Sequence, residues 1–464
     1  MVVRHMPVAA ITSGIQVVGG YRQREEWTWH AALLVCINPP TAAPWAGVAS
    51  SAQGALARRK AVKVAEKCAE CKSCETLVAC PGPDACIGCG ACVAACPCEA
   101  LVTLEAGEPQ SEVTILVNGH PCRVRAPATL KVALEEVGFH FADLPQEGGL
   151  AAPCRTGGCW ACALLVDGEL RPACLTPVRE GMRVDTRVEP VVPRRIVSGV
   201  MGHAVGGVGT PWQLKGKLYL EVACFVAGCN LRCSQCQNWQ VTYFSRRVPL
   251  TPEEAARLVT EARKGYGVDR LAISGGQATL NRRWLVEYLR RLREYNPDPV
   301  VRLHVDTNGS TLSEEYIDEL VAAGMTDIGI DLKALRLQTF MRITGLQDPA
   351  LAEKCRDTAW QAVGYLLARH PGVFLGIGIP YNRELISLAE IAEMGEAISK
   401  LNPEVQVCVL DYRPEFRRRD LLRPTVAEMR RVHATLRDAG LKNVVCQVSG
   451  GYLEPDGRFR SLYP

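Results

Sequence analysis

The stretch LYLEVACFVAGCNLRCSQCQNW, residues 218–239, joins an apolar, β-branched run to three closely spaced cysteines. The run before Gly228 has the composition of a buried β-strand. Cys229, Cys233 and Cys236 follow it directly. A structural metal site closes its coordination sphere, whereas a working site keeps one position open for substrate. Three cysteines after a strand therefore predict a metal centre with an open position.

Strand-like runs alternate with helical patterns from this point to the end of the chain. The further runs are RLAISGG (270–276), VVRLHVDTNG (300–309), TDIGIDLK (326–333), GVFLGIGIP (372–380) and VQVCVLDY (405–412). Thr251 with Glu254, and Thr425 with Glu428, have the spacing of capping boxes that begin helices. Six alternations predict an α/β fold with parallel strands, in which the chemistry gathers at the C-terminal strand ends.

Composition limits the class of protein. The chain has 464 residues, of which 48% are hydrophobic and 22% charged, and its net charge of +4 is too small to indicate nucleic acid as a partner. No apolar run approaches the ~18 residues of a membrane span. The 22 cysteines fall largely into C-x2-C clusters, which suit metal ligation in a reducing compartment, so we expect a cytoplasmic protein. Residues 1–58 show little periodicity and receive no function; this segment is either flexible or a misassigned start.

Residues 60–106 carry two cysteine runs that resemble a bacterial ferredoxin with two [4Fe–4S] clusters. Four cysteines and Pro97 reproduce the spacing C-x2-C-x2-C-x3-C-P, and an earlier run repeats it with two extra residues before its last cysteine. The resemblance implies that the fourth cysteine of each run crosses to the other cluster. The implied ligand sets are Cys68, Cys71, Cys74 with Cys96, and Cys86, Cys89, Cys92 with Cys80. Two zinc knuckles are the alternative.

Residues 112–192 hold a third cysteine set: Cys154, Cys159, Cys162 and Cys174. The first three have plant-type [2Fe–2S] spacing. The short last gap resembles the β-grasp ferredoxin domain of succinate dehydrogenase and fumarate reductase iron–sulfur subunits, which implies one [2Fe–2S] cluster. Gly157 and Gly158 suit a loop that turns its N–H groups toward cluster sulfurs. A zinc site is again the alternative.

The triad at 229, 233 and 236, with its neighbours, resembles the radical S-adenosylmethionine (SAM) superfamily over most of residues 215–450. The resemblance implies a partial (β/α)6 barrel over 200–464. It also implies that SAM chelates the fourth iron and is cleaved reductively to a 5′-deoxyadenosyl radical. Gly275, Gly276 and Gln277 occupy the family's Gly-Gly-Glu motif, which binds the SAM ammonium group. Gln277 departs from that motif, because its carbonyl is a weaker acceptor than a carboxylate.

DTNG (306–309) and DLK (331–333) resemble the activating enzymes of glycyl radical enzymes, among them the pyruvate formate-lyase activator. The resemblance implies that Asp306, Thr307 and Asp331 form a monovalent cation site beside SAM and that Lys333 lies in the same cleft. It also implies a glycyl radical enzyme-like protein substrate and an electron donor as partners. The rival functions are a radical SAM enzyme acting on a small molecule, a cofactor precursor or another protein, and a non-catalytic electron-transfer subunit.

The cluster count leads to a further expectation: three [4Fe–4S] clusters and one [2Fe–2S] cluster in one chain, with the ferredoxin modules relaying electrons to the triad. Two other features are assigned simpler roles. His304 shares a strand face with Asp306 and is expected to be a packed, hydrogen-bonded histidine. FRRRDLLR (416–423) is interpreted as a solvated loop or helix face.

Overall fold

In the computed structural model, the N-terminal module is built around one antiparallel strand pair. The structure describes residues 57–215 and 219–461, so most of the unassigned segment 1–58 lies outside it. Strands β1 (Ala57–Lys63) and β2 (Leu101–Pro109) pair with Lys63 opposite Leu101. Two short helices lie between them, α1 (Ser73–Thr76) and α2 (Ala91–Ala95). Both cysteine runs fall inside this closed pair.

The two cysteine runs have the same backbone conformation. Gly88 and Gly90, which flank Cys89, have φ of 68° and 72°. Glu70 and Lys72 flank Cys71 in the same way, with φ of 52° and 56°, although the left-handed region is unfavourable for residues with a Cβ atom. The first run therefore repeats the left-handed turns of the second around its middle cysteine.

The second module is a five-stranded sheet with one helix against it. Its elements are β3 (Ser111–Val117), β4 (His120–Ala126), α3 (Leu130–Glu136), β5 (Phe141–Ala142), β6 (Leu150–Ala151), β7 (Ala163–Val166), β8 (Glu169–Pro172) and β9 (Arg183–Asp185). The sheet order is β4-β3-β9-β7-β8, with β3 parallel to β9, and β5 pairs separately with β6. Thr129 caps α3, whose apolar face packs on the sheet.

The third module is a ten-stranded sheet with helices on its parallel connections. Its elements are β10 (Val197–His203), β11 (Glu221–Val226), α4 (Trp239–Thr242), α5 (Pro252–Tyr266), β12 (Arg270–Gly275), α6 (Arg282–Tyr295), β13 (Arg302–Thr307), α7 (Glu314–Ala322), β14 (Asp327–Asp331), α8 (Leu337–Thr344), α9 (Pro349–Arg369), β15 (Phe374–Tyr381), α10 (Leu388–Leu401), β16 (Gln406–Asp411), α11 (Val426–Asp438), β17 (Asn443–Val448), β18 (Gly451–Leu453) and β19 (Phe459–Ser461). Its strands follow one another in chain order.

Strands β11 to β17 are parallel, which gives the six expected strand–helix units and then a seventh parallel strand. The expectation of six strands therefore missed β17, and it also missed the antiparallel strands β10, β18 and β19 at the sheet edges. Strands β18 and β19 have three residues each, which is too short for a periodic signal, and β10 contains two glycines and a histidine in its seven residues. The central strands are buried on both faces, as their apolar composition predicts.

Both predicted capping boxes are formed. Thr251 accepts a hydrogen bond from the Glu254 N–H, and the Glu254 carboxylate accepts one from the Thr251 N–H at 2.8 Å. Thr425 and Glu428 make the same pair at the start of α11. Among the described residues, no helix is both long and apolar enough to cross a membrane.

Candidate active site

The cysteine triad lies on one loop at the C-terminal end of β11, the first parallel strand. The loop is fixed to the end of α8: Arg232 N donates to Thr344 O at 2.7 Å, and Gln235 Nε2 donates to Ile343 O at 2.9 Å. The Leu231 N–H points at the Cys229 Sγ, 3.4 Å away. The loop therefore holds its cysteines at the C-terminal edge of the parallel strands, where such sheets place their chemistry.

The three thiols are in an environment that disfavours an isolated charge. Burial raises the pKa of Cys229, that of Cys233 to about 12 and that of Cys236 to about 11. Only the thiolate binds iron, so ligation here requires the positive charge of the metal to compensate burial. Such a donor set, all sulfur and one ligand short of four, fits a [4Fe–4S] cluster with an open iron.

A single metal ion and an iron–sulfur cluster require different spacings of their ligands. Within residues 57–215 and 219–461, no group of three or more His, Cys, Asp or Glu side chains is arranged to hold one ion. A cluster places several irons between its cysteine ligands, which separates those ligands more widely than a single ion does.

The Gly-Gly-Gln turn packs directly on the triad loop. Gly276 N donates to Val226 O and Gln277 N donates to Gly228 O, both at 2.8 Å. A Cβ atom on Gly276 would overlap Gly228 O, and Gly275 has φ of +116°. These two glycines therefore permit a close approach between the ends of β11 and β12. Their contact with SAM stays a prediction.

Gln277 is fully buried, and its side chain joins neighbouring loops. Its Nε2 donates to the hydroxyls of Thr279 at 2.7 Å and Thr307 at 2.8 Å, and its Oε1 accepts from Asn308 N at 2.9 Å. The amide that is expected to contact the SAM ammonium group is thus already hydrogen-bonded to other groups of the protein. Through these bonds the Gln277 amide holds the DTNG turn, and its contact with SAM remains a prediction.

Asn308 is a residue that the sequence reasoning missed. Its Nδ2 lies 3.9 Å from the Cys229 Sγ and 3.1 Å from Asn230 Oδ1. Hydrogen bonds to cysteine sulfur are among the features that set cluster potentials. The signal was present in the quoted DTNG motif, but it was assigned only to the preceding aspartate and threonine.

Asp306 and Thr307, two members of the predicted cation site, lie on opposite sides of their strand. Asp306 Oδ1 lies 3.0 Å from His304 Nε2, on the side of the strand that carries His304. Thr307 bonds to Gln277 on the other side, as strand alternation dictates. In this arrangement the two side chains have different partners within the protein, and their joint use in a cation site beside SAM stays a prediction. Asp331, the third predicted member, contacts Lys333 instead.

His304 is packed and hydrogen-bonded, as expected, and it forms part of a buried charge network. Its Nδ1 lies 3.2 Å from Glu221 Oε2, and Arg270 approaches Glu221 at 3.9 Å. Burial opposes charge on the imidazole, but Asp306 and Glu221 outweigh it and raise the His304 pKa to about 10. Burial likewise opposes charge on Glu221, yet the imidazolium holds the pKa of Glu221 well below its usual range.

This network predicts a pH dependence of stability. An unfolded histidine has a pKa near 6.5, so the stabilisation from His304 is complete below about pH 6.5 and is lost as pH rises toward 10. The His304→Gln variant should be less stable than the wild type at pH 7. Above pH 7 the wild type's free energy of unfolding, measured with urea, should fall by roughly 1 kcal/mol per pH unit because of His304, and the variant should lack this part of the slope. Equal slopes for the two proteins between pH 7 and 9.5 would contradict a charged His304.

Lys333 lies close to Cys233 and is held by two groups; its place in the SAM cleft stays a prediction. Its Nζ donates to Asp331 Oδ2 at 2.9 Å and to the Tyr412 hydroxyl at 3.0 Å. Burial opposes its charge, but Asp331 and Tyr412 keep the Lys333 pKa well above the usual value. The ammonium in turn favours the thiolate of Cys233. Tyr412 was missed, because nothing in the sequence distinguishes it from a core tyrosine.

The N-terminal cysteine runs meet in the pattern that the ferredoxin resemblance implies. Cys80, the last cysteine of the first run, is hydrogen-bonded to Cys92 of the second, which lowers the Cys80 pKa to about 6. Cys96, the last of the second run, acts on the pKa of Cys74 in the first. The crossed arrangement brings the two predicted ligand sets together, and cluster binding by them stays a prediction.

The four cysteines of the second module also converge. Cys154 is hydrogen-bonded to Cys159 and Cys174, and these contacts lower the Cys154 pKa well below its usual value. Cys162 contacts Cys174 in turn. All four are buried, so this site is closed to solvent. A closed set of four sulfurs fits a [2Fe–2S] cluster.

The first module docks on the barrel through residues that were interpreted as solvated. Phe416 is 1% exposed and stacks on Trp239, with ring centroids 5.1 Å apart. Arg417 donates to the carbonyl groups of Val93 at 2.8 Å and Cys96 at 3.0 Å. The start of FRRRDLLR is therefore an internal interface. Its signal was the phenylalanine, which has no reason to lie in a solvated loop.

Two family models match parts of the chain. Residues 224–349 match the radical SAM superfamily model, and residues 110–189 match a 2Fe-2S iron-sulfur cluster binding domain. The first range contains the triad and Lys333, and the second contains the four converging cysteines of the second module.

The curated relatives correct one expectation. The chain is 33% identical over 138 residues to the probable GTP 3′,8-cyclase of Thermococcus kodakarensis, covering 30% of this chain and 41% of that protein. It is 36% identical over 129 residues to the GTP 3′,8-cyclase of Gloeobacter violaceus, covering 27% and 38%. The matches thus span about two fifths of those relatives. Their names give a nucleotide as the compound acted on, so the expected glycyl radical protein partner, and with it the activating-enzyme subtype, is wrong.

Solved structures align with about half of this chain. SuiB of Streptococcus suis, bound to S-adenosylmethionine, aligns over 47% of this chain and 48% of its own at 18% identity, with a TM-score of 0.37. HydG, a maturase of the [FeFe]-hydrogenase, aligns over 47% and 48% at 15% identity, with a TM-score of 0.35.

Proposed function

The chain contains a radical SAM domain beside a [2Fe–2S] ferredoxin domain, and we propose that it cleaves SAM reductively and uses the radical on a small molecule, such as a cofactor precursor. The observation that carries the proposal is the triad loop. Three half-buried cysteines leave one ligand position of a cluster open, and Lys333, held by Tyr412, lies close to Cys233. The nucleotide in the names of the curated relatives supports a small-molecule substrate.

Cys229, Cys233 and Cys236 would hold a [4Fe–4S] cluster, which with bound SAM would supply one-electron reductive cleavage of the sulfonium and hydrogen abstraction from the substrate. The protein supplies the rest: the triad binds the cluster, and Asn308 donates toward the Cys229 sulfur. Lys333 places a fixed positive charge at the rim of the cleft.

We further propose that the chain binds three [4Fe–4S] clusters and one [2Fe–2S] cluster, and that the two upstream modules deliver the electron. Two contacts support this. Arg417 fixes the first module next to the triad loop, and Cys236 packs in the same apolar cluster as Cys80 and Cys89. Tethering raises the local concentration of a donor to roughly millimolar, so fused modules suit a cluster buried away from external reductants.

A direct assay tests the function. The reconstituted protein, given dithionite and SAM under anaerobic conditions, should form 5′-deoxyadenosine and methionine in equal amounts. GTP is the first substrate to add, because the relatives' names give it, and a substrate should raise the rate of 5′-deoxyadenosine formation. An electron-transfer subunit would form none with or without added nucleotide, although its clusters were present by iron analysis.

A further inference from the structure

The loop that carries the [2Fe–2S] cysteines touches the triad loop through main-chain atoms. A Cβ atom built on Gly158 would lie 2.5 Å from Gly228 N, and one built on Gly228 would lie 2.6 Å from Cys159 N. Real Cβ atoms do not approach so closely, so both positions require glycine. Gly228 immediately precedes Cys229, and Gly158 immediately precedes Cys159. The two cysteine loops are therefore in direct backbone contact.

One side chain ties the two loops together. Arg232, within the triad, donates from Nη1 to Cys229 O at 2.7 Å and to Leu231 O at 2.8 Å. Its Nη2 donates to Cys154 O at 2.6 Å. A planar guanidinium can hold three carbonyl groups in a fixed relation, which a lysine cannot do. A second hydrogen bond, from Asn281 Nδ2 to Cys159 O at 3.0 Å, connects the [2Fe–2S] loop to the start of α6.

The first module meets the triad differently. Cys236, Cys80 and Cys89 pack against one apolar cluster that includes the bulky side chains of Trp239 and Phe416. The second module is thus the one whose cysteine loop meets the triad loop through main-chain atoms next to the predicted ligands Cys159 and Cys229.

We propose that the [2Fe–2S] site is the immediate electron donor to the triad cluster, and that Arg232 is a positioning residue that fixes the distance between them. This inference rests on the proposed function of the triad. One electron leaves the cluster held by Cys154, which is oxidised, and enters the cluster held by Cys229, which is reduced. No proton moves and no bond forms or breaks. The electron comes from a low-potential one-electron reductant, dithionite in the experiment below.

Two substitutions separate distance from charge. Arg232→Lys keeps the positive charge but cannot bridge three carbonyl groups, so the loops should separate. Arg232→Met removes both. The matched control is Arg155→Met, because Arg155 lies on the same [2Fe–2S] loop but is exposed and pairs with Asp143 on the surface. Each holoprotein is first checked for iron content.

The readout is the order of reduction, followed by rapid-freeze electron paramagnetic resonance after mixing with dithionite. The triad signal is identified by subtracting the spectrum of the protein that lacks the three triad cysteines, so neither SAM nor turnover is needed. In the wild type and in Arg155→Met, the [2Fe–2S] signal should appear first and the triad signal should follow. In both Arg232 variants the second step should slow roughly tenfold or more, since small displacements have large rate effects. The rate of [2Fe–2S] reduction should be unchanged.

Charge and distance then give different equilibrium results. The triad potential should fall in Arg232→Met, which loses a cation, and should stay near the wild-type value in Arg232→Lys. If Arg232→Met loses its triad cluster, Arg232→Lys and a Cys154→Ser with Cys159→Ser variant carry the test. Reduction of the triad at the wild-type rate in either of these would overturn the proposal and favour the route past Trp239. Failure of the proposed function would appear separately, as an absence of 5′-deoxyadenosine from the wild type.

Discussion

Replacing Cys229, Cys233 and Cys236 together by alanine should abolish formation of 5′-deoxyadenosine and remove about four of about 14 irons per chain. The triad loop is held by main-chain and side-chain bonds that do not use its thiols, such as Arg232 N to Thr344 O at 2.7 Å. The fold should therefore survive the change. Iron analysis, the visible spectrum and the SAM cleavage assay measure the three effects.

The matched control replaces buried cysteines that belong to no predicted cluster. Cys408 and Cys446 lie in strands β16 and β17 and are 6% and 0% exposed. Cys408→Ala with Cys446→Ala should keep the full iron content and the cleavage activity, at some cost in stability. Residual 5′-deoxyadenosine from the triple variant would mean that the catalytic cluster is held elsewhere.

The second large effect is expected at Arg195, which is fully buried between the two C-terminal modules. Its Nη2 donates to Gln277 O at 2.6 Å and to Ala227 O at 3.2 Å, and its Nη1 donates to Ala278 O. Arg195→Met leaves these carbonyl groups without a donor in the interior. We expect the free energy of unfolding to fall by about 3–5 kcal/mol.

Urea unfolding of the holoprotein measures this loss. Arg194→Met is the control, because Arg194 makes one bond, to Pro249 O at 3.2 Å, in a less buried position. It should cost about 1 kcal/mol or less. Because Arg195 fixes both the Gly-Gly-Gln turn and the residue before Gly228, its loss should also weaken SAM binding. Equal unfolding midpoints for the two variants would show that water satisfies the freed carbonyl groups.

The sequence predicted the parts of the fold that local chemistry determines. Six strands and two helix starts have signals within a few residues, as at Thr251 and Glu254. The seventh parallel strand, Asn443–Val448, follows the last predicted helix, and its pairing with β16 places it in the sheet. The edge strands depend in the same way on neighbours distant in the chain.

The candidate site likewise contains residues that have a local sequence signal and residues that depend on distant parts of the chain. Cysteine ligands recur at fixed spacings, so Cys229 and its partners were visible at once. Arg232 and Arg195 were not, because they act on carbonyl groups 78 and 82 residues away, and the chain holds 53 lysines and arginines without any local mark of these two. The different partners of Asp306 and Thr307 follow from strand geometry, since neighbouring strand residues point to opposite sides.

The closed [2Fe–2S] site has a consequence for how the protein is made. Cys154 and Cys159 are 1% and 0% exposed, and Gly228 of the barrel covers their loop. The second module leaves the ribosome before the barrel does, and domains fold as units during synthesis. We therefore expect the [2Fe–2S] site to be accessible for cluster insertion while the strands of the third module are still being translated. After Arg232 has bonded to Cys154 O, insertion of the cluster would require the two folded modules to separate. We therefore expect the [2Fe–2S] cluster to be inserted before the third module folds.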